Sequence, residues 1–170
     1  MSAGPAPAAE RPAPTARLVA LLSFAAAMGW LEGVVVVYIR GLLGAPHGPL
    51  ALAPGDVMLR FGRIPWLLPT EQTREAATLV MLAAVAWLSA RHARGRFGAL
   101  LVIFGVWDIA YYAALYALLG WPPSLATMDV LFLIPPGPWW HQPVWVPLLI
   151  ASAMVATGLK LWREGTRSSA

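Results

Sequence analysis

The run from Phe97 to Trp121 is apolar except for one carboxylate, Asp108. An α-helix rises about 1.5 Å per residue, so about 20 apolar residues cross the hydrocarbon layer of a bilayer. The run is long enough to do so. It predicts a transmembrane helix that carries a charge near the bilayer midplane, where a charge costs at least about 2.5 kcal/mol and normally pairs or binds something.

Three further segments are apolar enough to suggest spans. They are Leu18 to Ile39, Ala76 to Ala90 with a polar start at Glu71, and Val144 to Trp162. Hydrophobic residues make up 59% of the chain and charged residues 12%, against about 25% charged in ordinary soluble domains. We therefore predict an all-α membrane protein, a four-helix transmembrane bundle in contact with the lipid bilayer. Because Ala76 to Ala90 is short, the alternative is three spans and one partly inserted segment.

The chain divides into one membrane domain and two tails. Residues 17–163 form the predicted domain. Residues 1–16 are rich in Pro and Ala, lack periodicity and predict a disordered N-terminal tail, and residues 164–170 are assigned to a C-terminal tail. The chain contains no cysteine, which excludes disulfides, thiolate metal sites and thiol catalysis.

Lys and Arg are distributed unevenly between the two ends of the predicted spans. Eight lie on the side of the two termini and four on the opposite side. By the positive-inside rule both termini are cytoplasmic, which predicts a multi-pass protein of the cytoplasmic (inner) membrane. The basic residues flank apolar spans instead of forming a basic face, so no nucleic-acid partner is expected. The eight are Arg11, Arg17, Arg91, Arg94, Arg96, Lys160, Arg163 and Arg167.

With this orientation, the polar side chains of the spans fall in the outer half of the bilayer. Asp108 and Tyr111 share one stripe of the third span, and Glu32 lies about 12 Å below the outer interface at about 1.5 Å per residue. Their convergence predicts an outward-facing pocket for a small molecule, a proton or a cation. The predicted pocket residues are Glu32, Arg40, Arg74, Glu75, Asp108, Tyr111, Tyr112 and Asp129.

Simpler roles compete for several of these polar residues. Glu71 follows Thr70, a candidate N-cap, and is typical of a solvated first helical turn. A hydrogen bond or ion pair from Asp108 to Arg74 or Arg40 would link helices without binding a ligand. Both interpretations stay open from the sequence alone.

Ala25, Gly29 and Gly33 recur at four-residue steps along the first span. This small-xxx-small spacing lets two helices approach closely. Glu32 shares the same edge of the helix. We predict that this edge contacts a second copy of the chain or a partner in a membrane complex.

The segment WPPSLATMDVLFLIPPGPWWHQP follows Gly120. Its apolar centre is too short to span a bilayer, and Trp139 with Trp140 is typical of a membrane interface. The pattern predicts a capping outer loop or re-entrant segment, in which Ser124 caps a short helix or turn that carries Asp129. The long loop 41–70 suggests a second cap.

Familiar catalytic signatures are absent from the sequence. It has three histidines and lacks HExxH, GxSxG and Gly-rich phosphate loops, so no cofactor is identified and enzymatic activity is undetermined. A site for a hard cation such as Mg²⁺, Ca²⁺ or Mn²⁺ would use oxygen ligands. The candidate ligands are Glu32, Glu75, Asp108 and Asp129. A carboxylate pair that shares a proton is the alternative.

Four motifs carry a resemblance. REAAT at 74–78, FGVWDIAYY, GWPPSL and DVLFLIPP together resemble a group of uncharacterised bacterial polytopic membrane proteins, from the first span to the start of the fourth. The resemblance implies a multi-pass membrane protein. It implies no activity, cofactor or substrate.

Three functions are consistent with the sequence. The first is a transporter-like protein that binds a small molecule, a proton or a cation beneath the capped outer face. The second is an accessory or assembly subunit of a membrane complex, whose charges pair internally. The third is a membrane-embedded enzyme that acts on a lipid or isoprenoid with a carboxylate pair or a metal.

Overall fold

The computed structural model of the protein describes residues 13–167 and is mostly helical. Helices α1, α3, α4 and α5 are long, α2 is short, and two short strands lie between α4 and α5. The bounds are α1 Pro14–Leu42, α2 Pro54–Gly62, α3 Leu67–Ser89, α4 Ala93–Leu119, β1 Met128–Val130, β2 His141–Pro143 and α5 Trp145–Arg167. A 3₁₀ turn, Pro138–Trp140, precedes β2.

Among the described residues, three helices are long and apolar enough to cross a membrane. They are Pro14–Leu42, Ala93–Leu119 and Trp145–Gly165. The structure confirms three predicted helices of membrane-spanning length and hydropathy, and it does not confirm a bundle with four spans. The first turns of α3 carry three charged side chains and lower its hydropathy. Those side chains are Glu71, Arg74 and Glu75.

The third long helix in the chain, α4, lies at the centre of the bundle. It packs along much of its length against α1 and α5 and less extensively against α3. Small residues make the α4 to α5 contact close: a Cβ added at Gly98 would lie 2.8 Å from the carbonyl oxygen of Gly158, and one at Gly105 would lie 2.8 Å from a methyl group of Val155. Side chains larger than hydrogen would force these two helices apart.

The small-residue edge of α1 faces α4 of the same chain. Ala25, Gly29 and Gly33 are all buried, and a Cβ added at Gly33 would lie 2.7 Å from the Cβ of Ala114. The prediction of a close helix contact on this edge therefore holds within the chain. The sequence predicts that this edge contacts a second copy or a partner protein, whereas in this structure α4 of the same chain lies against it.

One face of α3 packs against the bundle, and its buried side chains are polar in the first half of the helix and apolar in the second. Glu71, Glu75 and Thr78 are buried in the first half, and Leu82 and Ala86 are buried in the second. The spacing keeps these residues on one side of a helix. The apolar half joins a core with Leu21, Ile103 and Trp162. The polar half therefore lies deep in the protein and needs internal partners.

Large apolar side chains cover the outer surface of the described bundle. Leu88 of α3 is 84% exposed, and Val80, Ile150 and Tyr38 also face outward. Soluble proteins rarely expose so much contiguous apolar surface. This surface is compatible with lipid contact on every long helix, including α3.

Both ends of the described chain lie at the same end of the bundle. Arg17 of α1 donates to the carbonyl oxygen of Ser89 over 3.4 Å, and Arg94 forms a 3.4 Å ion pair with Glu164 of α5. The guanidinium of Arg96 lies 3.6 Å from the centre of the Trp87 ring. This end is rich in arginine, as the sequence predicts. Its assignment to the cytoplasm stays a prediction.

The predicted tails are partly helical. Residues 14–16 form the first turn of α1, which begins with proline, and residues 164–167 belong to α5. The rest of both predicted tails lies outside the described residues.

Candidate functional site

A cavity of about 370 Å³ occupies the end of the bundle opposite the described chain ends. Ligand pockets typically enclose about 300 to 1,000 Å³. The walls come from the second half of α1, the first half of α3, the second half of α4, the start of α5 and the segment 129–133. Most lining side chains are apolar or aromatic, with a smaller set of charged groups among them.

All eight residues that the sequence assigned to the pocket line this cavity. They are Glu32, Arg40, Arg74, Glu75, Asp108, Tyr111, Tyr112 and Asp129. The structure adds Glu71 and Thr78 of α3, neither of which the sequence assigned to the pocket. Whether these residues bind a ligand stays a prediction.

Arg74 links two carboxylates at one side of the cavity. Its Nη1 donates to Oε2 of Glu32 on α1 over 2.6 Å, and its Nε donates to Oε2 of Glu71 one turn earlier, also over 2.6 Å. The interpretation of Glu71 as a solvated first-turn residue is therefore wrong, because Glu71 is 6% exposed and ion-paired. Thr70 is not the N-cap either: α3 begins at Leu67, and the Thr70 hydroxyl donates to the Trp66 carbonyl oxygen.

Asp129 lies on β1 and reaches into the cavity from above α4. Its Oδ2 accepts a hydrogen bond from the Tyr112 hydroxyl over 2.9 Å, and its Oδ1 accepts one from the Val130 amide over 2.8 Å. Burial raises the pKa of Asp129 more than these two donors and the nearby Arg40 lower it. The sequence placed Asp129 on a helix or turn capped by Ser124, and that prediction is wrong: β1 pairs with β2, with Asp129 opposite Gln142.

The backbone of Leu133 is held by two side chains of α3. The Leu133 amide donates to both carboxylate oxygens of Glu75 at 3.0 Å, and the Leu133 carbonyl accepts from Nε2 of Gln72 at 3.0 Å. We call this arrangement the Leu133 clamp. It closes one side of the cavity with the segment 130–133, so the predicted capping loop is present.

Phe132 anchors the same segment through its ring. The ring lies among three other aromatic rings, with centroid distances of 5.0 Å to Trp140, 6.3 Å to Phe104 and 6.4 Å to Trp107. Aromatic contacts at such distances stabilise beyond simple area burial. The segment is therefore fixed to α3 by hydrogen bonds and to α4 by ring packing.

Asp108 and Tyr111 differ from the other polar residues of the cavity. Within residues 13–167, neither side chain makes a hydrogen bond or an ion pair to a protein group. The hypothesis that Asp108 pairs with Arg74 or Arg40 is therefore wrong. Arg74 is engaged by two glutamates, and Nη2 of Arg40 donates to the Leu50 carbonyl oxygen over 2.7 Å.

The four acids proposed as cation ligands do not form a metal centre. In the part of the chain that the structure describes, no group of three or more His, Cys, Asp or Glu side chains is placed to hold a metal ion. Glu32 is drawn to Arg74, Glu75 to the Leu133 amide and Asp129 to Tyr112. These three carboxylates are thus held by three different partners, apart from Asp108, and do not converge on one point.

Several functional features were not predicted. Trp107 and Trp121 line the cavity, and Gln72 completes the Leu133 clamp. Gln72 lies between Glu71 and Glu75 on the turn of α3 that faces the loop. Its hydrogen bond to Leu133 could not be predicted, because it depends on how the loop packs against that turn. Trp107 precedes Asp108 in the apolar run and looks like an ordinary lipid-facing residue there.

Comparison with known proteins adds no assignment. No protein-family model, curated protein or solved structure matches the chain. The function is therefore argued from the geometry of the cavity alone.

Proposed function

We propose that the protein is a multi-pass integral membrane protein that binds a small molecule, a proton or a cation in this cavity, and that it does so as a transporter-like component. The observation that carries the proposal is the convergence of polar groups from α1, α3, α4 and β1 on one mainly apolar cavity. Polar side chains within membrane spans are costly and usually mark a binding site or pathway. We further propose that α3 is a fourth span, with its polar stripe covered by α1, α4 and the capping segment.

Asp108 has no ion-pair partner among the described residues, and this favours a binding role over a purely structural one. A carboxylate that served only to join helices would have a cation or a donor beside it, as Glu32 has in Arg74. Asp108 lines the cavity without such a protein partner among residues 13–167. The accessory-subunit alternative draws support from the internal pairing of Arg74 with Glu32 and Glu71, but it gives Asp108 no role.

The enzymatic alternative has less support. It calls for a metal or for two carboxyl groups in hydrogen-bonding contact, and no carboxyl pair among the described residues makes that contact.

A thermal-shift experiment tests the proposal. Purified protein in lipid nanodiscs would be unfolded by heat across a pH series, and in the presence of sodium, magnesium or choline chloride. We expect at least one of these changes to alter the melting temperature of the wild type, and Asp108→Asn to abolish that response. Asp56→Asn is the matched control, because Asp56 is exposed on α2 and does not line the cavity. An unchanged response in Asp108→Asn would refute the proposal.

A further inference from the structure

The formal charges around the cavity are unbalanced. Five carboxyl groups line it and only two guanidinium groups do. The acids are Glu32, Glu71, Glu75, Asp108 and Asp129, and the cations are Arg40 and Arg74. Arg74 is already shared by two acids, so it cannot neutralise a third. Even when Asp129 holds its proton, four carboxyl groups share the cavity with two guanidinium groups, so a positively charged ligand suits it better than an anion.

The excess acid is concentrated at Asp108. Asp108 and Asp129 are near enough to interact electrostatically, and both line the cavity. Asp129 has two hydrogen-bond donors and lies near Arg40. Asp108 has neither among the described residues. The position most in need of a cation is therefore at Asp108.

Aromatic rings line the same cavity as Asp108, and Tyr111 and Tyr112 follow Asp108 by about one turn of α4. Tyr111 and Tyr112 meet edge to face with ring centroids 5.0 Å apart, and Trp121 stacks on Tyr112 at 6.2 Å. All three line the cavity, as does Trp107, the residue preceding Asp108. The faces of such rings attract organic cations, and a carboxylate among aromatic rings is a common way to bind an ammonium group.

The part of the cavity wall that α5 forms determines what kind of cation fits. The start of α5 contributes only apolar residues, Pro147, Ile150, Ala151 and Met154. The carboxylates are also too separated to hold a metal ion, within the described part of the chain. An ion that needs several oxygen ligands at once is therefore a poor match. A molecule with one positive group and an apolar body matches both walls.

We infer that the ligand is an organic amine whose ammonium group lies at Asp108 among the aromatic rings and whose apolar body lies against α5. The inference rests on the proposed function of the cavity and specifies the chemical class of its ligand. The ammonium would donate to the Asp108 carboxylate, a charge-assisted hydrogen bond of the stronger kind.

Three probes of equal chain length separate charge from apolarity. Hexylamine, hexanol and hexanoate would be titrated against the full-length protein in nanodiscs, with tryptophan fluorescence as the readout and empty nanodiscs as the blank. We expect the wild type to bind hexylamine at least tenfold more tightly than hexanol, and hexanoate most weakly. Asp108→Asn should remove the preference for the amine and leave the affinity for hexanol unchanged. Asp56→Asn should retain the wild-type order.

The wild-type measurements alone are decisive if Asp108→Asn does not fold, and Asp108→Glu, which keeps the carboxylate, should retain the preference for hexylamine. If hexanol binds as tightly as hexylamine, or if hexanoate binds most tightly, the inference about the amine is overturned while the cavity remains a binding site. If none of the three probes binds, the inference is overturned. In that case a pH or cation response in the thermal-shift experiment decides separately whether the proposed function stands.

Discussion

Arg74 on α3 lies 2.6 Å from Glu32 on α1, between the Nη1 and Oε2 atoms, and this ion pair joins two helices that otherwise make little contact. The same guanidinium holds Glu71 through Nε. One cation therefore compensates two carboxylates at the edge of the cavity. The position of α3 against α1 depends on it.

Replacing Arg74 should destabilise the fold. Arg74→Gln leaves Glu32 and Glu71 without their cation, and we expect a loss of about 1 to 3 kcal/mol. That is less than the roughly 3 to 5 kcal/mol of a fully buried pair, because the Arg74 side chain is 25% exposed. The free energy of unfolding, measured by denaturant titration in micelles, checks this.

A double-mutant cycle identifies the origin of that loss. Glu32→Gln combined with Arg74→Gln should cost less than the sum of the two single changes, since the pair is removed together. Arg63→Gln is the control, because Arg63 is exposed and lies outside the cavity. Strict additivity of the two changes would mean that the ion pair contributes no coupling.

Gly29 should not tolerate even alanine. A Cβ there would lie 2.7 Å from the Cβ of Ala110 and 2.8 Å from the Tyr111 amide nitrogen. Because backbone must move to admit the methyl group, we expect Gly29→Ala to cost about 1 to 3 kcal/mol. Gly41→Ala on the same helix meets nothing within 4 Å and should be neutral or slightly stabilising. Equal melting temperatures for the two variants would contradict the close packing of α1 on α4.

The Leu133 clamp should slow amide exchange in the capping segment. Glu75→Leu removes both oxygens that accept from the Leu133 amide. A hydrogen bond contributes about 1 kcal/mol net, so we expect roughly fivefold faster hydrogen exchange at that amide. Mass spectrometry of peptides covering residues 128–140 measures it.

The control for the clamp is a neighbour on the same turn. Thr73→Ala should leave exchange at Leu133 unchanged, because the Thr73 hydroxyl is exposed and donates only to the Thr70 carbonyl oxygen of its own helix. Unaltered exchange in Glu75→Leu would show that ring packing of Phe132 alone holds the segment.

Asp129 should make stability fall as the pH rises. Burial raises the pKa of Asp129 above its ordinary value of 3.8. The folded chain therefore keeps this proton at pH values where the unfolded chain has released it. The stabilisation from this group is complete below 3.8 and is lost as the pH rises through the raised pKa of the folded state.

Thermal unfolding at increasing pH, starting near pH 4, checks the sign. Asp129→Asn should give a flatter profile than the wild type, and Asp56→Asn should match the wild type. Other groups near Asp129, including Asp108 and Arg40, contribute to the pH dependence of both proteins. The contribution of Asp129 is therefore the difference between the wild-type profile and the Asp129→Asn profile. If Asp129→Asn had the same pH profile as the wild type, the prediction would be wrong.

The helices and the meeting of the polar residues could be predicted because both depend on local spacing. Apolar length predicts α1, α4 and α5, and helical periodicity puts Asp108 and Tyr111 on one stripe. The arginine distribution predicts that Glu32 and Glu75 lie in the outer half of the bilayer. These inferences need only the order of residues and the geometry of a helix.

Partner choice could not be predicted, because it depends on contacts between segments distant in the chain. Whether Arg74 pairs with Asp108 or with Glu32 depends on how α3 turns against α1. The Leu133 clamp joins Leu133 to Glu75, which are 58 positions apart in the sequence. It forms only because the loop folds back onto α3. The small residues of α1 illustrate the same limit: their spacing predicts a close contact but does not say whether the neighbour belongs to the same chain.

The glycine contacts of α4 decide which wall of the cavity can move. At Gly29, Gly98 and Gly105 a helix backbone lies directly against its neighbour, so α1 and α5 have no intervening side chains to rearrange when α4 shifts. Helix α3 contains no glycine, and its contact with α4 is less extensive. We therefore expect any opening of the cavity to displace α3 more than α1 or α5.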